Sequence, residues 1–455
     1  MQKIRAEHAL TVDGWRADID VEIQDNGRIG RIEPANGAVD HHVGLLLTAP
    51  VNLHSHSFQR AFAGLTEAQS GDSRNSFWSW RRLAYKFLQQ FNPQQLEVIA
   101  QQAFMEMAEV GYGAVVEFHY LHHDCDGKPY ANLVELTDRI AAAAELIGIG
   151  LTHLPVLYQF GGCDRRELSG AQMRFGNSMD RYLRLHEAAR TTIADGPADW
   201  AIGVAPHSLR AVDQRGLNLA RDLEGLGPFH MHLAEQTKEV GEVIAHWQVR
   251  PVEWVLDNLE PDSSCCFIHC TQMTPSETIR LAKTGAVVGI CPITEANLGD
   301  GIFELFNYTN ASGAYGVGTD SNIQISLWDE LRMLEYSQRL RDGYRALSAR
   351  DSYSTGRALF ESAIVAGAQA AGRSSDGLGV GQWADLIGLS IANEFLCNRQ
   401  GDALLDSLIF SGGGNASIRD VWSAGRHIVK NGRHVKREQV TANFISVLNE
   451  LELDC

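Results

Sequence analysis

The sequence predicts an α/β fold, a (β/α)8 barrel of the TIM type with a small flanking β-sandwich domain built from both chain ends. Three observations predict it: a length of 455 residues, short apolar runs alternating with helical patterns in the middle, and strand patterns near both termini. A barrel of about 250 residues or more can form one unit. Apolar residues make up 44% and charged residues 21%, so a sizeable core is possible and disorder is not indicated.

The barrel is predicted between residues 45 and 322. Short β-branched runs alternate there with longer helical patterns, as βαβ units around a parallel sheet require. The eight candidate strands are residues 45–53, 114–119, 150–157, 200–205, 229–233, 265–269, 286–291 and 314–318. The helical patterns between them cover 96–110, 133–147, 178–193, 239–247 and 275–284, and two more follow at 327–340 and 353–371. Thr274 is the predicted N-cap of the 275–284 helix, with Pro275 at its first position.

The flanking domain is predicted from period-2 alternation at both ends of the chain. Residues 17–23 alternate apolar and polar side chains, and β patterning returns at 377–387. Residues 421–433 indicate a hairpin with an Asn-Gly turn. We therefore expect both ends to share one sheet. The predicted domains are 1–48 with 378–440 for the β domain, 49–377 for the barrel and 441–455 for a C-terminal helix.

Composition excludes several classes of function. The net charge is −17, from 56 acidic and 39 basic residues, which argues against a nucleic-acid or membrane-surface partner. An anionic substrate would need locally placed arginines. The first residues lack the apolar segment of a secretory signal, and no stretch of 18 uncharged apolar residues occurs. The eight cysteines include no Cys-x-x-Cys and are expected to be reduced thiols, so we expect a cytoplasmic protein.

The most informative short motif is His54-Ser55-His56. Residues i and i+2 of a strand point to the same face, so both imidazoles could bind one metal ion. Random placement of 17 histidines in 455 residues yields about 0.6 such pairs, and His230 and His232 form a second one. The motif alone is therefore only a hypothesis, and partners elsewhere in the chain must support it.

Those partners follow other predicted strands. The carboxyl ends of barrel strands converge on one mouth, where active sites are built. Polar side chains follow four of the strands: His54 and His56 after the first, His232 and Glu235 after the fifth, His269 after the sixth, and Asp320 after the eighth. Four independent matches to one geometry predict a metal-dependent hydrolytic site.

At these positions the sequence resembles the amidohydrolase superfamily of barrel metal-hydrolases, over nearly its full length. The stretch 379–386 resembles that superfamily's return to its flanking β domain. Binuclear members usually carry a bridging lysine after strand 4, whereas this strand leads into Ala205-Pro206-His207-Ser208-Leu209-Arg210. A mononuclear, deaminase-type site is therefore favoured.

The residue types suit that chemistry. The expected ligands of one divalent ion, Zn²⁺ or alternatively Fe²⁺, are His54, His56, His232 and Asp320. The ion lowers the pKa of its water toward ~7, so hydroxide can attack the substrate at neutral pH. Asp320 can accept a proton, His269 can orient the hydroxide, and Glu235 can protonate the substrate nitrogen and the leaving amine. His230 is expected not to be a ligand. His119, His122 and His123 are expected to form hydrogen bonds rather than a second metal site.

A closer resemblance concerns the branch of this superfamily that deiminates N-formimidoyl-L-glutamate in histidine degradation. It is carried by residues 54–61, 76–81, 117–123, 206–210 and 294–301. Its members hydrolyse the formimino C=N and release ammonia and N-formyl-L-glutamate. The resemblance implies a homodimer and a substrate-binding set of Gln59, Arg81, Tyr120, His207 and Arg210. Arginine forks suit a substrate with two carboxylates.

Two alternatives stay open at this point. Another deaminase of the same scaffold could act on guanine, cytosine or an adenosine derivative, although such sites favour aromatic stacking over two arginines. A non-catalytic protein could also keep the barrel, but it would be expected to lose metal ligands, and all four are present. The aromatic and basic segment 77–82 is predicted to be a lid rather than a linker, and the sequence leaves its mobility open.

Overall fold

The computed structural model describes residues 1–67, 77–223, 225, 227–350 and 352–451. The side chains of residues 77–79 and 81–83 are outside this description. Within the described ranges, no helix is both long enough and apolar enough to cross a membrane.

The strands are numbered in chain order. β1–β4 are Gln2–Thr11, Gly14–Ile23, Ile29–Pro34 and His41–Thr48. β5–β13 are Val51–Ser55, Ala114–His119, Gly150–Leu157, Ala201–Ile202, Ala205–Pro206, Phe229–Leu233, Cys265–His269, Val287–Ile290 and Ala314–Val317. β14–β17 are Leu386–Leu389, Ile418–Ser423, Arg426–Lys430 and Arg433–His434.

The helices are numbered in the same way. α1–α5 are Phe77–Leu88, Pro93–Glu109, Glu135–Ile147, Met179–Ala194 and Gln214–Asp222. α6–α10 are Thr237–Trp247, Pro251–Asn258, Pro275–Ala282, Pro292–Leu298 and Leu305–Asn310. α11–α15 are Leu327–Asp342, Thr355–Ala370, Asp402–Phe410, Gly414–Ser417 and Arg437–Glu450.

Parallel strands alternate with helices in the central part of the chain, as predicted. β5–β8 form one parallel sheet, with β9 also pairing β7, and β10–β13 form a second. β8 and β9 are two halves of the predicted fourth strand. Single parallel bridges join the two sheets at Ser55–Asp320 and Val204–Phe229. The strands therefore follow one another around a (β/α)8 barrel, although the hydrogen-bond ladder is interrupted where the two sheets meet.

The predicted first barrel strand, residues 45–53, is two strands in the structure. β4 pairs with β1 and β14 of the flanking domain, whereas β5 pairs with β6 of the barrel. Ala49 and Pro50 separate them, and a proline has no N–H with which to continue a ladder. One apolar run in the sequence thus supplies both the flanking domain and the barrel.

Strands from both chain ends lie in one eight-stranded sheet, which confirms that prediction. Its order is β17-β16-β15-β14-β4-β1-β2-β3. The expected hairpin turn is present, since Asn431 and Gly432 have φ of 53° and 77°, as a type I′ turn requires. The helix predicted at 441 begins earlier, at Arg437. The proposed domain boundaries remain a prediction.

A buried ion-pair network joins the flanking sheet to the barrel. The Arg373 guanidinium donates to the Asp385 carboxylate at 2.7 and 2.9 Å and to Asp199 Oδ2 at 3.1 Å. Arg426 of β16 donates to both Asp199 oxygens at 2.7 Å. Since the side chains of Arg373 and both aspartates are almost fully buried, the network is a strong constraint on how β14 and β16 sit against the barrel.

Two expectations concern single helices, and the first is confirmed while the lid role of residues 77–82 stays a prediction. Thr274 is the N-cap of α8, with a capping box to Glu277 and Pro275 in the first turn, as predicted. The segment 77–82, predicted to be a lid, forms the start of α1. Trp80 of this helix lines the cavity described below, so α1 covers the barrel mouth.

Candidate metal centre and substrate cavity

Four side chains from three barrel strands converge at the carboxyl ends of the strands. His54 belongs to β5 and His56 follows it, His232 belongs to β10, and Asp320 follows β13. All four are buried, and their potential ligand atoms lie within 4.8 Å of one another. His54 Nε2 is 3.1 Å from His232 Nε2, and Asp320 Oδ1 is 3.5 and 3.3 Å from the Nε2 atoms of His54 and His56.

Backbone contacts place these ligands. The Asp320 N–H donates to the His54 carbonyl, and the His56 N–H donates to the Asp320 carbonyl. These two bonds join the end of β5 to the residues that follow β13. His56 Nδ1 donates to the Phe118 carbonyl at 3.0 Å, which leaves Nε2 directed at Asp320. Asn322 donates its side-chain amide to the carbonyls of His56 and Asp320. Such outer contacts orient metal ligands.

Backbone strain marks the same strand ends. Ala234, His269 and Asp320 have φ of 50°, 74° and 45°, although each carries a side chain that disfavours the left-handed region. Residues in such conformations cluster at functional sites, because the surrounding structure must stabilise the strained backbone. The strain therefore supports a functional role for the ends of β10, β11 and β13.

The electrostatics of the four residues fit a divalent cation. Burial lowers the pKa of His54 to about 3 and the pKa values of His56 and His232 below their ordinary value, so all three imidazoles are neutral. Burial alone would raise the pKa of Asp320, but the hydrogen bond with His54 and the neighbouring imidazoles, including the charged His269, outweigh it and lower the pKa. Three neutral imidazoles and one carboxylate are a donor set that zinc prefers.

A second group of charged side chains lies beside the first. Arg210 Nη2 donates to Glu235 Oε2 at 3.2 Å, and Glu235 Oε1 lies 3.9 Å from His269 Nε2. Burial raises the pKa of the Glu235 carboxyl. Burial alone would lower the pKa of His269, but the charges of Glu235 and Asp320 and a hydrogen bond with Glu295 raise it to about 10. Glu235 and His269 are therefore two titratable groups with shifted pKa values beside the metal-ligand cluster, as is common at functional sites.

Both groups open into one cavity of about 630 Å³, part of which is open to solvent. The predicted site residues that line it are His56, Gln59, Tyr120, His207, Arg210, His232, Glu235, His269 and Asp320. Gln59 Nε2 donates to the Tyr120 hydroxyl at 3.1 Å. The side chain of Arg81, the remaining predicted substrate residue, is outside the described residues.

The amidohydrolase family model matches residues 45–428. The match spans the barrel and part of the flanking sheet, and it includes every residue of the candidate metal centre.

The chain belongs to the amidohydrolase family.

Two relatives place this amidohydrolase more closely, and a third protein shares its fold. It is 43% identical to Formimidoylglutamate deiminase of Pseudomonas aeruginosa, over 99% of this chain and 100% of that protein. An amidohydrolase structure from Brucella melitensis has a TM-score of 0.95 and 44% identity, with 99% of each chain covered. An adenosine deaminase structure from Xanthomonas campestris with bound zinc has a TM-score of 0.81, 98% coverage of each chain and 20% identity, which shows the shared fold alone.

The amidohydrolase site leaves the other histidines outside the metal centre. His230, in the same strand as His232, forms a 2.7 Å hydrogen bond between Nε2 and the Ala370 carbonyl. His122 and His123 form Nε2 hydrogen bonds with the carbonyls of Val156 and Gly176, at 2.9 and 3.0 Å. The imidazoles of His230, His122 and His123 are thus engaged with the backbone. The expectation is wrong for His119, which packs against the rings of His122 and His153 and whose ring nitrogens form no hydrogen bond of standard geometry with the described residues.

Several cavity residues of this amidohydrolase were not predicted. Tyr158 and Phe175 form an aromatic wall with Tyr120, with Phe175 4.8 Å from Tyr120 and 5.5 Å from Tyr158 between ring centroids. Tyr158 directly follows β7, so the strand-end rule that found the metal ligands could have found it. Phe175 comes from a loop with no such signal.

Glu117 supports the metal loop, a role that sequence reasoning missed. Its Oε1 accepts hydrogen bonds from the Ser57 N–H at 2.8 Å and from the Ser57 hydroxyl at 2.6 Å. Burial raises the pKa of this carboxyl to about 7. Glu117 thereby holds the chain immediately after His56, and its place in the stretch 117–123, which carries part of the family resemblance, was the available signal.

Proposed function

We propose that this amidohydrolase hydrolyses N-formimidoyl-L-glutamate to N-formyl-L-glutamate and ammonia, a step of histidine degradation. The observation that carries the proposal is the 43% identity with the Pseudomonas aeruginosa Formimidoylglutamate deiminase along 99% of the chain. The cavity contains the groups that such a reaction needs: a metal-ligand cluster, an acid with a raised pKa, and an arginine.

Substrate binding is assigned to the charged and polar wall of the cavity. The protein carries a net charge of −17, so a dianionic substrate must be held by local cations. Arg210 is buried in the cavity wall and can pair with one carboxylate through two parallel N–H groups. Arg81 is assigned to the other carboxylate on the sequence resemblance. Gln59, Tyr120 and His207 add neutral hydrogen-bonding groups.

One divalent ion is assigned to His54, His56, His232 and Asp320. Zinc is the proposed ion because three imidazoles and one carboxylate suit it, and ferrous iron is the alternative. When bound there, the ion supplies Lewis-acid activation of water near neutral pH.

The protein side chains move the protons of the reaction. Asp320, held ionised by its histidine neighbours, accepts a proton from the attacking water. His269, with Nε2 directed toward Glu235, stabilises negative charge on the oxygen that attacks the formimino carbon. Glu235 protonates the imino nitrogen, takes up the second proton that the attacking water releases and passes it to the leaving amine, for which its raised pKa is suited. The proton on Asp320 then returns to Glu235, so both carboxyl groups end as they began. Closure of α1 over the cavity would exclude bulk water during these steps.

An ammonia-release assay tests this function. Purified protein is given N-formimidoyl-L-glutamate and, in parallel, guanine and cytosine, and its metal content is measured in the same preparation. We expect ammonia from the formimidoyl compound alone and one metal ion per chain. Ammonia from guanine but none from N-formimidoyl-L-glutamate would overturn the proposal.

One observation favours an alternative. The aromatic wall of Tyr120, Tyr158 and Phe175 could stack on a heterocycle, as in a deaminase of guanine, cytosine or an adenosine derivative. A 25% identical relative is an isoxanthopterin deaminase of an unknown prokaryotic organism. The arginine in the cavity wall weighs against this alternative, because a neutral base does not require it.

Location and assembly complete the proposal. We infer a cytoplasmic protein, supported by the free state of all seven cysteines within the described ranges. We also infer a homodimer, on the family resemblance. Light scattering coupled to gel filtration tests this, with an expected mass of twice the 50.1 kDa chain.

A further inference from the structure

The segment 294–301, which follows β12, carries part of the sequence resemblance, yet the proposed reaction gives it no role. It begins in α9, and the first turn of that helix contains Thr294 and Glu295. Both side chains are buried. Glu295 contacts His269 at the end of β11, and Thr294 contacts the two residues that flank Asp320 after β13. This turn therefore lies between two parts of the active site.

Glu295 contacts the catalytic imidazole from the side away from Glu235. Its Oε1 lies 3.2 Å from His269 Nδ1 and also accepts the Cys291 N–H at 2.9 Å. Only 4% of the Glu295 residue surface is exposed, and it does not line the cavity. It therefore cannot contact substrate directly, and any effect on the reaction must pass through His269.

The contact determines which nitrogen of His269 faces away from the cavity. A carboxylate can only accept, and this oxygen already accepts one N–H, so the Nδ1 of His269 must be the donor. Nε2 is then presented to the cavity, 3.9 Å from Glu235 Oε1. The His269 ring is further held by stacking on His232, with centroids 5.5 Å apart and an interplanar angle of 12°.

We propose that Glu295 is a positioning residue that fixes the orientation of the His269 ring; this rests on the proposed function. A ring turned over about its Cβ–Cγ bond would direct Nε2–H away from the reacting oxygen. The neighbouring Thr294 holds the other side of the site. Its hydroxyl lies 2.9 Å from the Ser321 hydroxyl and 3.2 Å from the Thr319 carbonyl, and these two residues flank Asp320.

A second metal site is the competing interpretation of the same residues. His269, Cys291 and Glu295 have potential ligand atoms within 4.8 Å of one another. Hydrogen bonding favours the positioning role, because Glu295 Oε1 already accepts from Nδ1 of His269 and from the Cys291 N–H. The number of metal ions bound per chain distinguishes the two interpretations.

The test is a double-mutant cycle on the full-length, metal-loaded protein, with Glu295→Gln, His269→Asn and the combined variant. Glutamine keeps the size of the side chain but replaces the carboxylate. We expect Glu295→Gln to lower kcat about 10–100-fold. KM should stay within about threefold, and metal content should remain at one per chain. In the His269→Asn background, Glu295→Gln should lower kcat no further.

Glu330→Gln is the matched control. Glu330 of α11 is a second fully buried carboxyl near α9, and its Oε2 accepts the Ile293 N–H at 2.9 Å. Burial raises its pKa well above the ordinary value, so glutamine changes little charge. We expect its kcat to equal that of the wild type.

Several results would overturn the proposal. Unchanged kcat in Glu295→Gln, losses that multiply in the double variant, or a second metal ion that Glu295→Gln removes would each do so. Wild-type protein that releases no ammonia would refute the proposed function instead. Thermal unfolding of the same four proteins then still tests the contact, and additive shifts in Tm would refute it.

Discussion

Replacing Glu235 by glutamine separates metal binding from proton transfer. Glutamine has nearly the shape of glutamate, and its amide oxygen can still accept the hydrogen bond from Arg210 Nη2, which is 3.2 Å long in the wild type. Glu235 is not a member of the four-residue ligand group, so the variant should retain its metal ion. What it loses is the ability to carry a proton at a buried position beside His269.

The size of the effect follows from that loss. A positioned acid or base contributes about 10²–10⁴-fold to the rate. At about 1.36 kcal/mol for each factor of ten, this is roughly 2.7–5.4 kcal/mol of barrier height. The Arg210 guanidinium loses an ionic partner and becomes more available to a substrate carboxylate, so KM should be unchanged or lower.

The assay is steady-state ammonia release from N-formimidoyl-L-glutamate, with metal content measured on the same samples. Glu242→Gln is a suitable control, because Glu242 lies in α6, a few residues along the chain, and is partly exposed. It should behave as wild type. Turnover of Glu235→Gln close to that of the wild type would refute its acid–base role, and loss of the metal ion would mean that Glu235 supports the ligand cluster instead.

Three further predictions concern the metal centre, the substrate and the fold. His56→Ala should lose both bound metal and activity, and zinc added after chelation should restore only the wild type. Arg210→Met should lower kcat/KM for N-formimidoyl-L-glutamate about 10–100-fold, since a hydrogen bond to a charged group contributes roughly 1.5–3 kcal/mol. Turnover of formamidine, which has no carboxylate, should fall less, by the part that Arg210 contributes through its hydrogen bond with Glu235. Arg373→Met should lower the free energy of unfolding by about 3–5 kcal/mol, because it leaves the buried Asp385 carboxylate without an ionic partner and leaves Asp199 with Arg426 alone. Denaturant unfolding measures this, with the exposed Arg166→Met as control.

The effect of Arg373→Met on the free energy of unfolding should also depend on pH. Burial alone would raise the pKa of Asp199, but Arg426 and Arg373 outweigh it and hold the pKa below its ordinary value. The stabilisation that ionised Asp199 contributes is therefore present above its pKa in the unfolded state, and it is lost as the pH falls through its lower pKa in the folded state. Arg373→Met should reduce this contribution, so unfolding curves of variant and wild type should converge in acid. Metal retained by His56→Ala would contradict the first prediction. Equal losses for formamidine and N-formimidoyl-L-glutamate in Arg210→Met would contradict the second, and an unfolding midpoint of Arg373→Met like that of the wild type would contradict the third.

The sequence by itself determined the architecture and the metal-ligand candidates. The alternation of strands and helices is local information, and the carboxyl ends of successive barrel strands must meet at one mouth. Residues placed at those ends, such as His54, His232 and Asp320, could therefore be grouped from their positions along the chain alone. The sharing of one sheet by both chain ends followed in the same way from period-2 patterning.

Only the tertiary structure decided the features that depend on side-chain packing across elements. The division of residues 45–53 into β4 and β5 depends on which partner strands are available on either side of Pro50. The contact between Glu295 and His269 joins residues 26 positions apart, and no spacing rule specifies which oxygen faces which nitrogen. The His54-x-His56 motif could be found in the sequence, but the groups that orient and support it come from other parts of the barrel.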